Sequence, residues 1–92
     1  MHSFRWNFRA NGTFDMNIPA AGLATVHHNT VVLASITEVS TPQGGQDALA
    51  FQGGATMRVC NIVPLDNNSI NIRVEIGWDS PLTGQPYIMV FD

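Results

Sequence analysis

The segment Ser69-Ile-Asn-Ile-Arg-Val-Glu-Ile-Gly-Trp78-Asp-Ser-Pro81 leaves little freedom in what the chain can fold into. Ile70, Ile72, Val74 and Ile76 alternate with Asn71, Arg73 and Glu75. A period of two puts the apolar side chains on one face of a β-strand and the polar ones on the other. The strand runs out at Gly77, and the Trp-Asp-Ser-Pro turn after it carries a large amphipathic ring to the rim of a sheet, where a ligand can meet it.

Shorter stretches repeat the pattern. Phe4–Ala10 sets Phe4, Trp6 and Phe8 against Arg5, Asn7 and Arg9, and Thr13–Ile18 sets Phe14, Met16 and Ile18 against Asp15 and Asn17. Asn11-Gly12 between them is a strong hairpin signal. Parity then selects the turn. A two-residue loop would place Phe8 opposite Asp15 and mix the faces. A three-residue loop of Ala10, Asn11 and Gly12 pairs Arg9 with Thr13, Phe8 with Phe14, Trp6 with Met16 and Phe4 with Ile18, and gives Gly12 the left-handed position of a bulge.

A polar loop with His27 and His28 leads to Thr30–Val39, where Val31, Val32 and Leu33 are apolar in succession. That run predicts a central strand buried on both faces. Ser40–Gly54 reads as a long loop with a short strand at Ala48–Phe51. Ala55–Val63 and Ser69–Ile76 form a second hairpin. A four-residue loop, Leu65–Asn68, pairs Val63 with Ile70, Val59 with Val74, Met57 with Ile76, and the opposite charges of Arg58 and Glu75. Pro86–Phe91 closes the chain, and all five prolines are expected at strand ends or turns, as the missing N–H demands. No window carries a helical period. Short strands separated by turns predict one all-β domain, an antiparallel sandwich of six to seven strands.

Composition narrows the function. A chain of 92 residues buries only roughly 60–65% of its unfolded surface, and at 12% charged and 45% hydrophobic residues it is expected to share surface with another subunit. It has no lysine, and Arg5, Arg9, Arg58 and Arg73 face seven carboxylates for a net charge of −3. That balance argues against nucleic acid, whose backbone needs clustered cations, and against anionic membranes. Cys60 is the only cysteine, so no intrachain disulfide forms, and it is expected to pack within its strand. With no signal-peptide pattern and no apolar run near the roughly 18 residues of a membrane span, the expectation is a soluble product, cytoplasmic or released without a signal peptide.

No catalytic constellation can be named. His27 and His28 are adjacent on an extended segment and point opposite ways, so they do not converge on a metal. Gly44-Gly45 and Gly53-Gly54 lack the lysine and helix of a phosphate loop. No enzyme activity, cofactor or metal is expected. The constellation with chemical content is Arg58, Glu75, Trp78, Asp79 and Tyr87. An aromatic face stacks on the C–H side of a pyranose while Arg and Asp fork onto its hydroxyls. From composition alone the same residues are better described as a tryptophan packed across the rim and a surface ion pair worth under about 1 kcal/mol.

Thr30-Val-Val-Leu-Ala-Ser-Ile-Thr-Glu-Val39 resembles the central strand of the H-type lectins, which reads as paired valines, a leucine, then Ser-Ile-Thr. Met57-Arg58-Val59 resembles their next long strand with its sugar-contacting arginine, Trp78 stands at the family's spacing from that arginine, and Tyr87–Phe91 resembles the closing strand. The resemblance spans Thr30–Asp92. It implies a six-stranded sandwich assembled as a homotrimer that binds glycans of the galactose or N-acetylgalactosamine type near subunit edges. Asp79 stands where the family has a polar, often histidine, neighbour of the tryptophan, Thr83-Gly84 stands where a tyrosine is expected, the loop before Arg58 is longer, and with Cys60 alone the family disulfide cannot form. The resemblance therefore carries only Arg58 and Trp78 into a sugar site. The other reading is a structural subunit of a larger protein particle, phage-tail-like or secreted, with apolar faces as interfaces.

Overall fold

The computed structural model describes residues 1–40 and 49–92. Their regular structure is entirely β, in eight strands: β1 (His2–Arg5), β2 (Phe8–Ala10), β3 (Gly12–Pro19), β4 (Val31–Val39), β5 (Ala50–Phe51), β6 (Thr56–Leu65), β7 (Ser69–Gly77) and β8 (Leu82–Phe91). One layer runs β1-β8-β4-β5, with β2 also on β8, and the other runs β3-β7-β6. All pairings are antiparallel. The layers curl over a shared core, an all-β sandwich as the alternation predicts. No helix among the described residues is long and apolar enough to cross a membrane. The predicted start of a strand at Ala48, together with Thr41, Pro42 and Gly44-Gly45, lies outside the described residues.

Ile70, Ile72, Val74 and Ile76 are each at most 1% exposed, so the alternation read from β7 holds at every position. Ile18, Ile88 and Val90 meet them from the other strands, with Phe4, Phe8 and Phe14 packed around. The connection between β3 and β4 is not merely a polar loop. Ala20, Ala24 and Val26 belong to the core, and Asn68 holds the segment down. The Asn68 carbonyl accepts the Ala20 N–H at 3.0 Å, and its side-chain oxygen accepts the Val26 N–H at 2.7 Å.

The first hairpin is not a hairpin. Arg9 pairs with Thr83, and Thr13 pairs with Glu75, so β2 and β3 belong to opposite layers. Phe8 and Phe14 do meet, edge to face at 5.2 Å between ring centroids, but across the core. Parity explains the mistake. A corner between layers and a turn within one layer both aim the two apolar faces at the same core, so facing alone does not select the neighbour. Gly12 takes the expected left-handed conformation, φ +77°.

The second hairpin is right at one end and shifted at the other. Met57 pairs with Ile76, Arg58 with Glu75 and Val59 with Val74 as expected, but Val63 pairs with Asn71 and Leu65 with Ser69. A bulge at Cys60 absorbs the extra residue, and the loop shortens to three residues with Asn68 at φ +61°. Cys60 is accordingly exposed rather than packed.

Pro86 sits inside β8, not at its end. Trp6 donates its N–H to the Pro86 carbonyl at 3.1 Å, which makes the two a hydrogen-bonded ladder pair lacking the return bond. The missing N–H divides one predicted strand into β1 and β2. Pro64 likewise lies within β6, next to its last residue. The expectation that β4 is buried on both faces also fails: Val31 and Leu33 are 59% and 56% exposed on the outer face.

Candidate functional site

The outer surface of β3-β7-β6 is a ladder of polar pairs. Arg58 Nε lies 3.0 Å from Glu75 Oε1, Arg73 grips Asp15 through two nitrogens at 2.7 and 3.1 Å, and Asn17 Nδ2 donates to Asn71 at 2.7 Å. Each pair follows from register, because the partners stand opposite one another in the ladder. The hydrogen bond from Arg73 holds the Asp15 carboxyl below the usual carboxylate range, and Glu75 raises the Arg58 guanidinium. The Cys60 thiol lies beside Arg58 and Arg73.

Trp78 directly follows Gly77, the last residue of β7, three positions on from Glu75. Its N–H bonds the Ile76 carbonyl at 2.9 Å, and Asn11 Nδ2 reaches its carbonyl at 3.4 Å. A Cβ at Gly54 would stand 3.6 Å from the six-membered ring, in ordinary contact, so the indole packs beside Gly54. The ring remains 46% exposed. With Gly77 and Asp79 it borders an open depression of about 450 Å³.

Four of the five sequence-predicted residues therefore gather at one end of this layer: Arg58, Glu75, Trp78 and Asp79. Arg58 and Glu75 are already engaged with each other. Tyr87 is not among them. It lies in β8, opposite Arg5 and Ser35 in the other layer.

Around Tyr87 the structure places a site that the sequence reading passed over. Ser3, Arg5, Leu33, Ser35, Tyr87 and Met89 line a shallow groove of about 570 Å³ on the outer surface of β1-β8-β4. Val31 and Phe91 stand opposite one another one row further on, 59% and 44% exposed. The apolar triplet Val31-Val32-Leu33 was the available signal. It breaks the alternation because the outward positions are apolar as well, which marks either a doubly buried strand or a surface awaiting a cover.

Among the described residues no three of His, Cys, Asp and Glu converge as metal ligands. His28 Nδ1 lies 2.7 Å from Asp66 Oδ1, and the His28 backbone N–H is the larger cause of the lowered Asp66 carboxyl. The Asp92 carboxylate, held by the Thr25 N–H at 3.0 Å and His2 Nδ1 at 2.9 Å, is pushed far below the usual range.

Comparison with protein-family models, with curated proteins and with solved structures finds no match to this chain.

Proposed function

We propose that the chain is a non-catalytic assembly subunit, copies of which associate through the outer surface of β1-β8-β4. The carrying observation is that Val31, Leu33, Met89 and Phe91, all 40% exposed or more, lie on one surface of two paired strands. Outward alternate positions of an antiparallel sheet are ordinarily polar, as most are on β3-β7-β6 of this same molecule, where Val63 is the large apolar exception. Contiguous apolar surface of this kind marks a contact with another protein. Light scattering over a concentration series tests the reading. A mass that is a multiple of 10.0 kDa and that falls on Val31→Lys supports it. A monomer at every concentration removes it.

A second reading, glycan binding, is supported by the half-exposed Trp78 ring with the polar Arg58, Glu75 and Asp79 at the same end of the sheet. Stacking on Trp78 is the interaction that distinguishes it, with galactose or N-acetylgalactosamine-type sugars the first to try and avidity supplied by a homo-oligomer such as a trimer. A glycan array reports directly: retention on a coherent set of sugars, released by free sugar and lost in Trp78→Ala, would favour this reading over the first.

A further inference from the structure

The ion-pair inventory of the described residues leaves one cation and one projecting carboxylate unmatched. Arg9 donates to Thr83, Arg58 pairs with Glu75 and Arg73 with Asp15. Arg5, on the groove beside Tyr87, has neither a hydrogen bond nor an ion pair among the described residues. Asp15, Asp66, Glu75 and Asp92 are all engaged. Asp79 is exposed and unengaged, next to the half-exposed ring of Trp78. Glu38 is also unengaged, but it is half-buried within β4 rather than carried on a turn.

A ring followed by a carboxylate stands on one surface, and an apolar groove bordered by a free guanidinium stands on another. They are complementary in charge and in apolar character. They lie on different layers of the molecule, so the match is made between copies. We infer that the Trp78-Asp79 turn of one copy docks into the β1-β8-β4 groove of the next, the indole against Leu33, Tyr87 and Met89 and the Asp79 carboxylate on Arg5. The groove, at about 570 Å³, falls within the roughly 300–1,000 Å³ of sites that enclose a whole small ligand, so an indole fits. A Trp beside a charge pair, surrounded by weaker contacts from Val31 and Phe91, is the usual composition of a binding hot spot. Turn and groove are different patches, so two copies joined by one contact still present one turn and one groove between them, and assembly closes into a ring or extends as a filament.

This inference rests on the self-assembly reading, and sedimentation with mixed variants separates the two. Arg5→Glu, Asp79→Arg and Trp78→Ala all alter exposed side chains. Each is expected to lower the association constant at least tenfold with an unchanged circular dichroism spectrum. Arg5→Glu retains a working turn and Trp78→Ala a working groove, so their equimolar mixture should give heterodimers and nothing larger. The double variant Arg5→Glu/Asp79→Arg should recover assembly through the reversed pair. Oligomers that survive all three single changes but dissociate with Val31→Lys overturn the docking while leaving self-assembly in place. A wild-type monomer overturns both. Retention of wild type on a sugar column, lost with Trp78→Ala while the oligomer is unchanged, assigns Trp78 to a sugar and overturns the docking.

Discussion

Ile72 shows how far a single side chain is committed. It is fully buried between β3 and β6 neighbours, and Ile72→Ala should cost about 2–5 kcal/mol out of a total of roughly 5–15 kcal/mol. Thermal unfolding followed by circular dichroism is expected to move down by about 10 °C or more. Two glycines fail for different reasons. Gly12 has open space around it but φ +77°, so Gly12→Ala costs about 1–2 kcal/mol in backbone strain. At Gly84 a Cβ would come 2.6 Å from Phe8 Cζ, so Gly84→Ala overpacks the core by about 1–3 kcal/mol. Adding Phe8→Leu should recover part of the Gly84 loss and none of the Gly12 loss, a difference that denaturant midpoints will show. Gly12 was legible from Asn-Gly alone, because its constraint is local. Gly84 was not, because its constraint is a ring more than seventy positions away.

Strand identity was legible in periodicity, and strand partnership only in part. β6 and β7 are adjacent in sequence and joined by a short turn, so charge and parity placed Arg58 opposite Glu75 correctly. The Cys60 bulge was invisible because Val63 with Ile70 on the inner face and Val63 with Asn71 on the outer face, where Val63 is 48% exposed, are both tolerable pairs. Deleting Cys60 should therefore leave the protein folded, with the Val59–Val74 and Asn61–Arg73 pairs intact in cross-strand NOEs. Loss of either pair would mean that the bulge is required for the curl of the layer. Pro86 makes a complementary case. Pro86→Ala supplies the N–H that faces the Trp6 carbonyl, and the new amide at position 86 is expected to be protected from hydrogen exchange, joining β1 to β2 across Trp6 and Asn7. Rapid exchange there would show that the break has another cause.

The molecule is closed by its most distant parts. His2 pairs with Val90, and His2 reaches Asp92 across 90 positions. Such non-local pairing places refolding in the millisecond-to-second range of β-sandwiches rather than the microseconds of helical bundles, which stopped-flow fluorescence of Trp6 and Trp78 will measure. The same closure sets the acid response. Asp92, Asp66 and Asp15 all lie below their ordinary value of 3.8, so each binds protons less readily folded than unfolded. Their contribution is complete above the unfolded value and is lost as pH falls through it and below. Urea unfolding at pH 6, 4 and 3 should show a declining stability, with a shallower decline in Asp92→Asn. Equal slopes would deny Asp92 its part in holding β1, β8 and the Thr25 segment together.

Alternation determined that this chain forms strands, which residues of Ser69–Ile76 face inward, and that the product is an antiparallel sandwich, because side-chain direction along a strand follows from backbone geometry within a few residues. Arg58, Glu75, Trp78 and Asp79 could be placed at one end of a layer for the same reason, since one hairpin carries them. Only the tertiary structure decided that β2 leaves β3 for β8, that Tyr87 stands with Arg5 in the opposite layer, and that Val31 and Leu33 face outward. Those outcomes depend on which distant strand covers which face, and a period of two is blind to that choice.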